Sequence, residues 1–351
     1  MKRIFLLLTF VNLVNLVFGQ DPQFTQFYAA PLYHNSAFTG SGYAPRIILN
    51  YRNQWPSFNA NFVTQSFSID HFIEKANSGI GLMFLDDAQG NRFKNTEITG
   101  LYSYQLKISE TNHLRFGLQG SYSIRGFDAN GLVFGDQINN SGIFRNYSVD
   151  RLANLNFNNA KKFDIGSGIL FYNKNYFVGF AANHLAAPTF KFLGDSANVK
   201  FETIQGSINR KFMVHGGYNI SLNQVFGSPN NTDKEFTLTP TFLYKKQGEF
   251  SQLDLGAYVT YTPLTMGLQY RGIPLKKVFS NFPNQDALAV LVGFRYDNFS
   301  IGYSYDLTIS GLGPQSGGSH EISLSYQLDK FDNDKSPYLK QRKKELACPK
   351  F

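Results

Sequence analysis

Apolar and polar residues alternate with a period of two along fourteen stretches of this chain. From His113 to Arg125 the even positions are Leu114, Phe116, Leu118, Gly120, Tyr122 and Ile124; polar and small residues occupy the odd ones. Successive side chains of a strand point to opposite faces, so each stretch has one greasy face and one wet face. The pattern recurs at Asn298–Thr308, where Phe299, Ile301, Tyr303, Tyr305 and Leu307 alternate with polar neighbours, and at Glu321–Asp329. It predicts strands over 46–54, 61–72, 78–86, 95–107, 113–126, 162–173, 175–185, 211–222, 236–246, 252–262, 264–272, 286–297, 298–307 and 318–329.

Most of these strands reach the about 9–11 residues that a tilted membrane crossing needs. They are too many and too long for a two-sheet sandwich of about 7–9 strands. An open sheet in lipid would leave edge N–H and C=O groups unpaired at several kcal/mol each, so the ring must close. The expectation is therefore an all-β, 14-stranded antiparallel transmembrane barrel in a bacterial outer membrane. With the amino terminus of the barrel in the periplasm, long outer and short inner connections should alternate. The long connections 87–94, 127–161, 186–210, 273–285 and 308–317 then lie outside, and 108–112, 174 and 297–298 inside. A long inner turn at 223–235 and a short outer one at 247–251 break the rule.

The ends of the chain read differently. Lys2 and Arg3 precede a mostly apolar Ile4–Phe18, with small residues before a cut after Gly19, as in a secretory signal peptide over 1–19. Residues 20–45 hold Phe24, Phe27, Tyr28, Leu32, Tyr33 and Phe38 among small and amide residues; they are expected to plug the lumen or pack on the periplasmic rim. The barrel occupies 46–329 and a basic periplasmic tail 330–351. The net charge of +8 suggests nucleic acid until it is mapped. Two positive charges lie in the leader, and Lys340, Arg342, Lys343 and Lys344 belong to a tail cluster, so the body is nearly neutral and no nucleic-acid partner is expected. The single cysteine, Cys348, excludes an internal disulfide. Phe 35 and Tyr 20 against a slightly negative mean hydropathy of −0.25 fit a polar lumen inside an aromatic belt.

Catalytic chemistry has little to rest on. No His-Glu-x-x-His pair, Gly-x-Ser-x-Gly elbow or phosphate-binding glycine motif is present, and the adjacent Ser319 and His320 face opposite sides of a strand. Neither enzyme activity nor a cofactor is expected. Asp86, Asp87 and Glu97 are candidate calcium ligands, although loop acids are more often simply solvated. Strand parity puts Tyr51 and Trp55 toward lipid and Arg52 and Gln54 into the lumen, where Arg52 is expected to pair with Asp70 or Asp306. His184 and His320 fall on the lipid parity near strand ends.

Several segments carry a resemblance: Asp21–Tyr28, Pro31-Leu32-Tyr33, Ala37–Gly40, Asn50–Pro56, Asn183-His184-Leu185 with Pro188, Ser304-Tyr305-Asp306 with Ile309-Ser310, Gly318–Leu324 and the closing Cys348-Pro349-Lys350-Phe351. Together they resemble the PorP/SprF family across nearly the whole mature chain. The resemblance implies an outer-membrane barrel of the type IX secretion and gliding apparatus. It also implies that a secreted protein with a type B C-terminal domain is bound and helped in export or surface attachment. A general structural role in the machinery, with periplasmic secretion or gliding components as partners, is the alternative; a small-molecule transporter rests on likeness of architecture alone. For the first reading, the loops 127–161, 186–210 and 273–285 would receive the partner, with Phe134, Phe144, Tyr147, Phe190 and Phe192 as aromatic anchors.

Overall fold

The computed structural model describes residues 20–42, 44–90, 92–127, 133–139, 142–143, 145, 147–149, 159–192, 204–222, 236–278 and 282–328. Fourteen antiparallel strands close into one ring. They are β1 (Arg46–Gln54), β2 (Phe62–Ile73), β3 (Ser78–Gln89), β4 (Phe93–Lys107), β5 (His113–Phe127), β6 (Ala160–Tyr172), β7 (Tyr176–Asn183), β8 (Lys211–Tyr218), β9 (Phe236–Gln247), β10 (Phe250–Tyr261), β11 (Leu264–Val278), β12 (Phe282–Tyr296), β13 (Phe299–Thr308) and β14 (Ser319–Gln327). Each pairs with its neighbours in sequence, and β1 pairs with β14 to close the ring.

The two faces separate as the alternation requires. In β1, Ile48, Asn50 and Arg52 are buried while Leu49 and Tyr51 are exposed toward lipid. In β5, Arg115, Ser121 and Ser123 are buried, and Phe116, Leu118 and Tyr122 are exposed. The lumen is thus lined largely by Ser, Thr, Asn and charged residues, with one apolar patch that includes Leu170, Phe177, Met213 and Leu243, and the belt by Phe, Tyr, Leu, Ile and Val. This inverts a soluble core, because lipid solvates the outside.

The seam between β8 and β9 is weak. β8 and β9 pair from Lys211↔Gln247 to Gly217↔Thr241, and the same register resumes only at Ile220↔Leu238. That register puts Tyr218 opposite Pro240, which has no N–H to donate.

Connections differ in length at the two ends. The β1-starting end carries Glu74–Ala76, 108–112, 173–175, 219–235, 262–263 and 297–298; the opposite end carries 128–159, 184–210 and 309–318. Short periplasmic turns and long external loops make the second end the outer one. The expected long loop 273–285 is instead mostly strand. β11 and β12 extend to Val278 and Phe282, with register shifts on both sides of Gly272, whose φ is +150°. A bulge of this kind lets a hairpin continue past the lipid boundary after the alternation has lapsed. The 87–94 connection likewise shortens to 90–92.

Residues before β1 cross the lumen from end to end. They form short turns at Phe27–Ala29, Pro31–His34 and Ser36–Phe38. Phe24, Phe27, Leu32, Ala37 and Phe38 are all at most 3% exposed. Phe27 and Phe38 pack with Leu170, Phe177, Met213 and Leu243 of the wall, and Phe38 stacks on His215 with ring centroids 5.3 Å apart. The wall makes room through glycines: a Cβ at Gly117 would collide with Ser36 and Ala37, and one at Gly79 with Thr39. The N-terminal segment is a plug.

Candidate functional site: a tied plug beneath an aromatic outer mouth

Three groups of polar contacts tie the plug to the wall at successive depths. At the outer end, Asp21 Oδ2 lies 2.7 Å from His184 Nε2 and 2.6 Å from Lys211 Nζ, and Asp21 N–H donates to Gln247 Oε1 at 3.1 Å. His184 Nδ1 meets Asp164 Oδ2 at 2.5 Å. His184 follows β7 with φ +58°, a left-handed backbone that turns its ring away from the side strand parity assigns. The expectation that it sits at the lipid interface is corrected: its ring faces the lumen, between two carboxylates. Burial opposes a charge on this ring, but the neighbouring Asp21 and Asp164 outweigh it and push the His184 pKa up to about 9. Burial likewise works against the Asp21 carboxylate, yet His184 and Lys211 hold it well below the usual range.

One level down, Thr25 sits at a buried ionic node. Arg52 pairs with Asp306 at 2.8 Å and with Glu321 at 3.1 Å; Arg271 pairs with Asp306 at 2.8 Å and Asp254 at 3.4 Å. Both guanidinium groups donate to Thr25 Oγ1, at 2.7 and 2.8 Å, and that hydroxyl donates to Asp306 at 2.7 Å. The backbone N–H groups of Thr25 and Gln26 donate to the two Glu321 oxygens at 2.7 and 2.9 Å. A buried carboxylate with two amide donors and a guanidinium partner has its lone pairs satisfied, which makes the charge tolerable at this depth.

Near the inner end, Gly40 N–H donates to Asp70 at 2.7 Å, while Arg115 and Ser103 donate to Thr39 O at 2.8 and 2.7 Å. Asp70 pairs here with Arg46, at 3.0 Å, and not with Arg52 as the sequence suggested. Arg52 and Asp306 do meet, so of the three predicted lumen residues two share a node and the third holds the plug's other end. The register Arg46↔Asp70 explains this: the partner was the residue directly across the strand pair.

At the outer rim, among the β1–β2, β3–β4 and β13–β14 connections, lies a hollow of about 420 Å³ lined by Trp55, Phe58, Phe62, Phe93, Gln89 and Leu312. Phe62 and Phe93 carry the lumen parity of β2 and β4 but sit at the strands' outer ends. Trp55 packs edge-on against Phe62 at 5.5 Å, and Phe93 lies tilted against Phe127 at 4.7 Å. The walls are fixed by backbone bonds between loops: Trp55 N–H to Gly318 O at 2.8 Å, Ser57 N–H to Ser316 O at 3.3 Å and Gly90 N–H to Asn61 O at 3.0 Å. Phe58 and Phe93 remain 38% and 50% exposed, so apolar area faces outward from a stiff frame. Parity turns Trp55 toward lipid, but its left-handed backbone, φ +58°, ends the strand count there and it joins this hollow; the other residues were overlooked, although aromatics flanking short outer turns were the signal.

The aromatic anchors expected from the long loops fare differently. Phe190 is 2% exposed, packed on Ala160 and Ile208 with the Arg125 guanidinium 4.6 Å from its ring centroid. It fastens the ribbon Thr189–Phe192/Ile204–Ser207 to the barrel, which corrects its reading as an outward anchor. Phe192 lies in that ribbon, with its side chain outside the described residues. Phe134 is half-buried and Tyr147 exposed in the 128–159 loop; Phe144 lies outside the described residues, as do Lys340, Arg342, Lys343 and Lys344. His320 keeps its lipid parity and accepts or donates a 2.8 Å bond with the Tyr303 hydroxyl. Asp86 pairs with Lys94, Asp87 takes bonds from Thr64 and Gln89, and Glu97 one from Thr99; among the described residues no metal-ligating cluster forms.

A family model described as type IX secretion system membrane protein PorP/SprF matches residues 16–326. No curated protein matches the sequence. Among solved structures, the TodX monoaromatic hydrocarbon channel deltaS2 mutant is 9% identical, with 86% of this chain and 94% of that one covered at a TM-score of 0.44. A Pseudomonas aeruginosa FadL homologue is 10% identical over 84% and 98%, TM-score 0.41. Acinetobacter baumannii Omp33 is 6% identical over 82% and 98%, TM-score 0.36.

Proposed function

The chain belongs to the PorP/SprF family of type IX secretion system membrane proteins, and we propose that it is a non-enzymatic receptor of that system, binding a secreted protein at the outer mouth and helping its export or surface attachment. The observation that carries this reading is the plug. A segment tied at three depths by buried charges leaves the barrel a solid post, and at its outer rim stands a preformed aromatic hollow. Rigid aromatic area in a preorganised frame is what a protein partner uses as an anchor point. The partner class, a secreted protein with a type B C-terminal domain, comes from the family.

A small-molecule transporter needs a continuous apolar path, and a lumen filled by the plug and crossed by a buried ionic node argues against one. The rival of a general structural component makes a different prediction at the mouth. Replacing Phe58 and Phe93 together by serine leaves the plug ties untouched. Crosslinking in intact outer membranes, followed by identification of the captured protein, should show the secreted partner lost from this variant. Undiminished capture would refute the mouth as the receptor site and favour the structural role.

A further inference from the structure

A second hollow lies outside the barrel, at the outer edge of the lipid belt between β7 and β9. It measures about 450 Å³ and is lined by Arg210, Lys246, Phe212, Ala187, Asn209 and Gly248. Strand register fixes its plan. Phe212 lies directly across from Lys246, and both carry the lipid parity of their strands. Phe212 is 42% exposed and stacks against the lipid-facing Phe180, ring centroids 6.4 Å apart. Arg210 comes two residues before Phe212, just beyond the end of β8, and its Nε donates to Leu185 O at 3.3 Å, which fixes the base of the guanidinium and leaves its tip exposed. Gly248, at φ +57°, turns the β9–β10 connection away over Asn209.

The lipid-facing positions therefore step down from Arg210 at the rim, through the rung shared by Phe212 and Lys246, to Phe180 one step deeper in the hydrocarbon belt. Among the described residues neither cation forms an ion pair, and the adjacent Lys211 points the other way, to Asp21 in the lumen. Such a site fits a molecule with negative charge at its polar end and acyl chains below. Arg and Lys are the residue types that grip phosphate at a membrane surface. Because this rim is at the long-loop end, the leaflet it meets is the outer one.

We propose that Arg210, Lys246 and Phe212 form a binding site for a phosphate-bearing glycolipid of the outer leaflet, its phosphate between the two cations and an acyl chain along Phe212 and Phe180. The site is separate from the mouth hollow and does not depend on the receptor role. It would hold the barrel at one azimuth against the surrounding lipid.

The test uses the full chain in phosphatidylcholine nanodiscs doped with lipid A, either phosphorylated or enzymatically dephosphorylated, with native mass spectrometry counting bound glycolipid. The intact barrel should retain phosphorylated lipid A and release the dephosphorylated form. Arg210→Ala/Lys246→Ala should lower retention roughly 10- to 30-fold, as two surface cations imply. Phe212→Ser should weaken both forms. Heat-modifiable migration on gels confirms that each variant is a closed barrel. Millimolar inorganic phosphate should fail to displace the lipid, since it lacks the acyl contacts. Equal retention of both lipid A forms, unchanged retention in the double variant, or displacement by inorganic phosphate would each overturn the assignment.

Discussion

Asp21 and His184 lie 163 positions apart and meet at 2.7 Å where the plug reaches the outer mouth. The contact makes a latch whose strength depends on proton count. His184 has its pKa raised to about 9, so its contribution is complete below the unfolded value near 6.5 and is lost as pH rises through about 9. The groups facing it are Asp21 on the plug, Asp164 on β6 and Lys211 on β8, with Glu97 on β4 interacting at longer range. The ceiling on this contribution is about 3 kcal/mol.

Alkaline release of the plug's outer end is the first prediction. In a Cys348→Ser background, a cysteine placed at the half-buried Pro22 should react slowly with an impermeant maleimide at pH 6.5–7.5. Protection, measured as reactive fraction and corrected for thiolate content, should fall between pH 8 and 10. A His184→Leu variant should lack protection across the whole range. A flat profile in the intact latch would show that His184 carries no such role.

Asp306→Asn should cost far more than a surface change. It removes a carboxylate shared by Arg52 and Arg271, leaving two buried guanidinium groups short of a partner. Breaking one side of a buried pair typically costs about 3–5 kcal/mol. Thermal unfolding in detergent, followed by gel mobility, should shift to markedly lower temperature. A midpoint matching the unaltered barrel would remove the node from any stabilising role.

Gly117→Leu tests the plug's seat without touching a charge. The new side chain would overlap Ser36 and Ala37, and overpacking costs about 1–3 kcal/mol. The wall can survive by expelling the plug, so planar-bilayer recordings should show conductance steps that the intact barrel lacks. A silent variant with native thermal stability would mean that the segment adapts in place.

Removing 128–159 probes the largest outer loop separately from the aromatic hollow. β5 and β6 pair directly from His113↔Tyr172 to Arg125↔Ala160, so a short turn can replace the loop and the ring should still close. Partner capture that persists in this deletion but vanishes in the Phe58/Phe93 double variant would place recognition in the frame of the mouth.

Strand positions were legible in the sequence because lipid on one side and a polar lumen on the other impose a strict two-residue period. Where those solvents end, so does the signal. The outer parts of β11 and β12 stand beyond the belt, and their pairing across the Gly272 bulge carries no alternation to read. His184 shows a second limit, since counting parity assumes extended backbone and a left-handed residue breaks the count. The plug shows a third. Its three-residue turns have no period, and its partners Glu321, Asp306 and Asp70 come from strands whose neighbours are known only once registers are set.

A hoop parts at its thinnest stave. Pro240 takes one rung from the β8–β9 seam, and β7 and β8, at eight residues each, are among the shortest staves of the hoop. Under heat or tension this hem should fray before the β1–β14 join that links the two ends of the barrel sequence. Amide exchange would then report early loss at Val214 and Leu243 while Tyr51 and Ile322 stay protected, so that opening proceeds sideways into the bilayer on the face where the two rim cations stand.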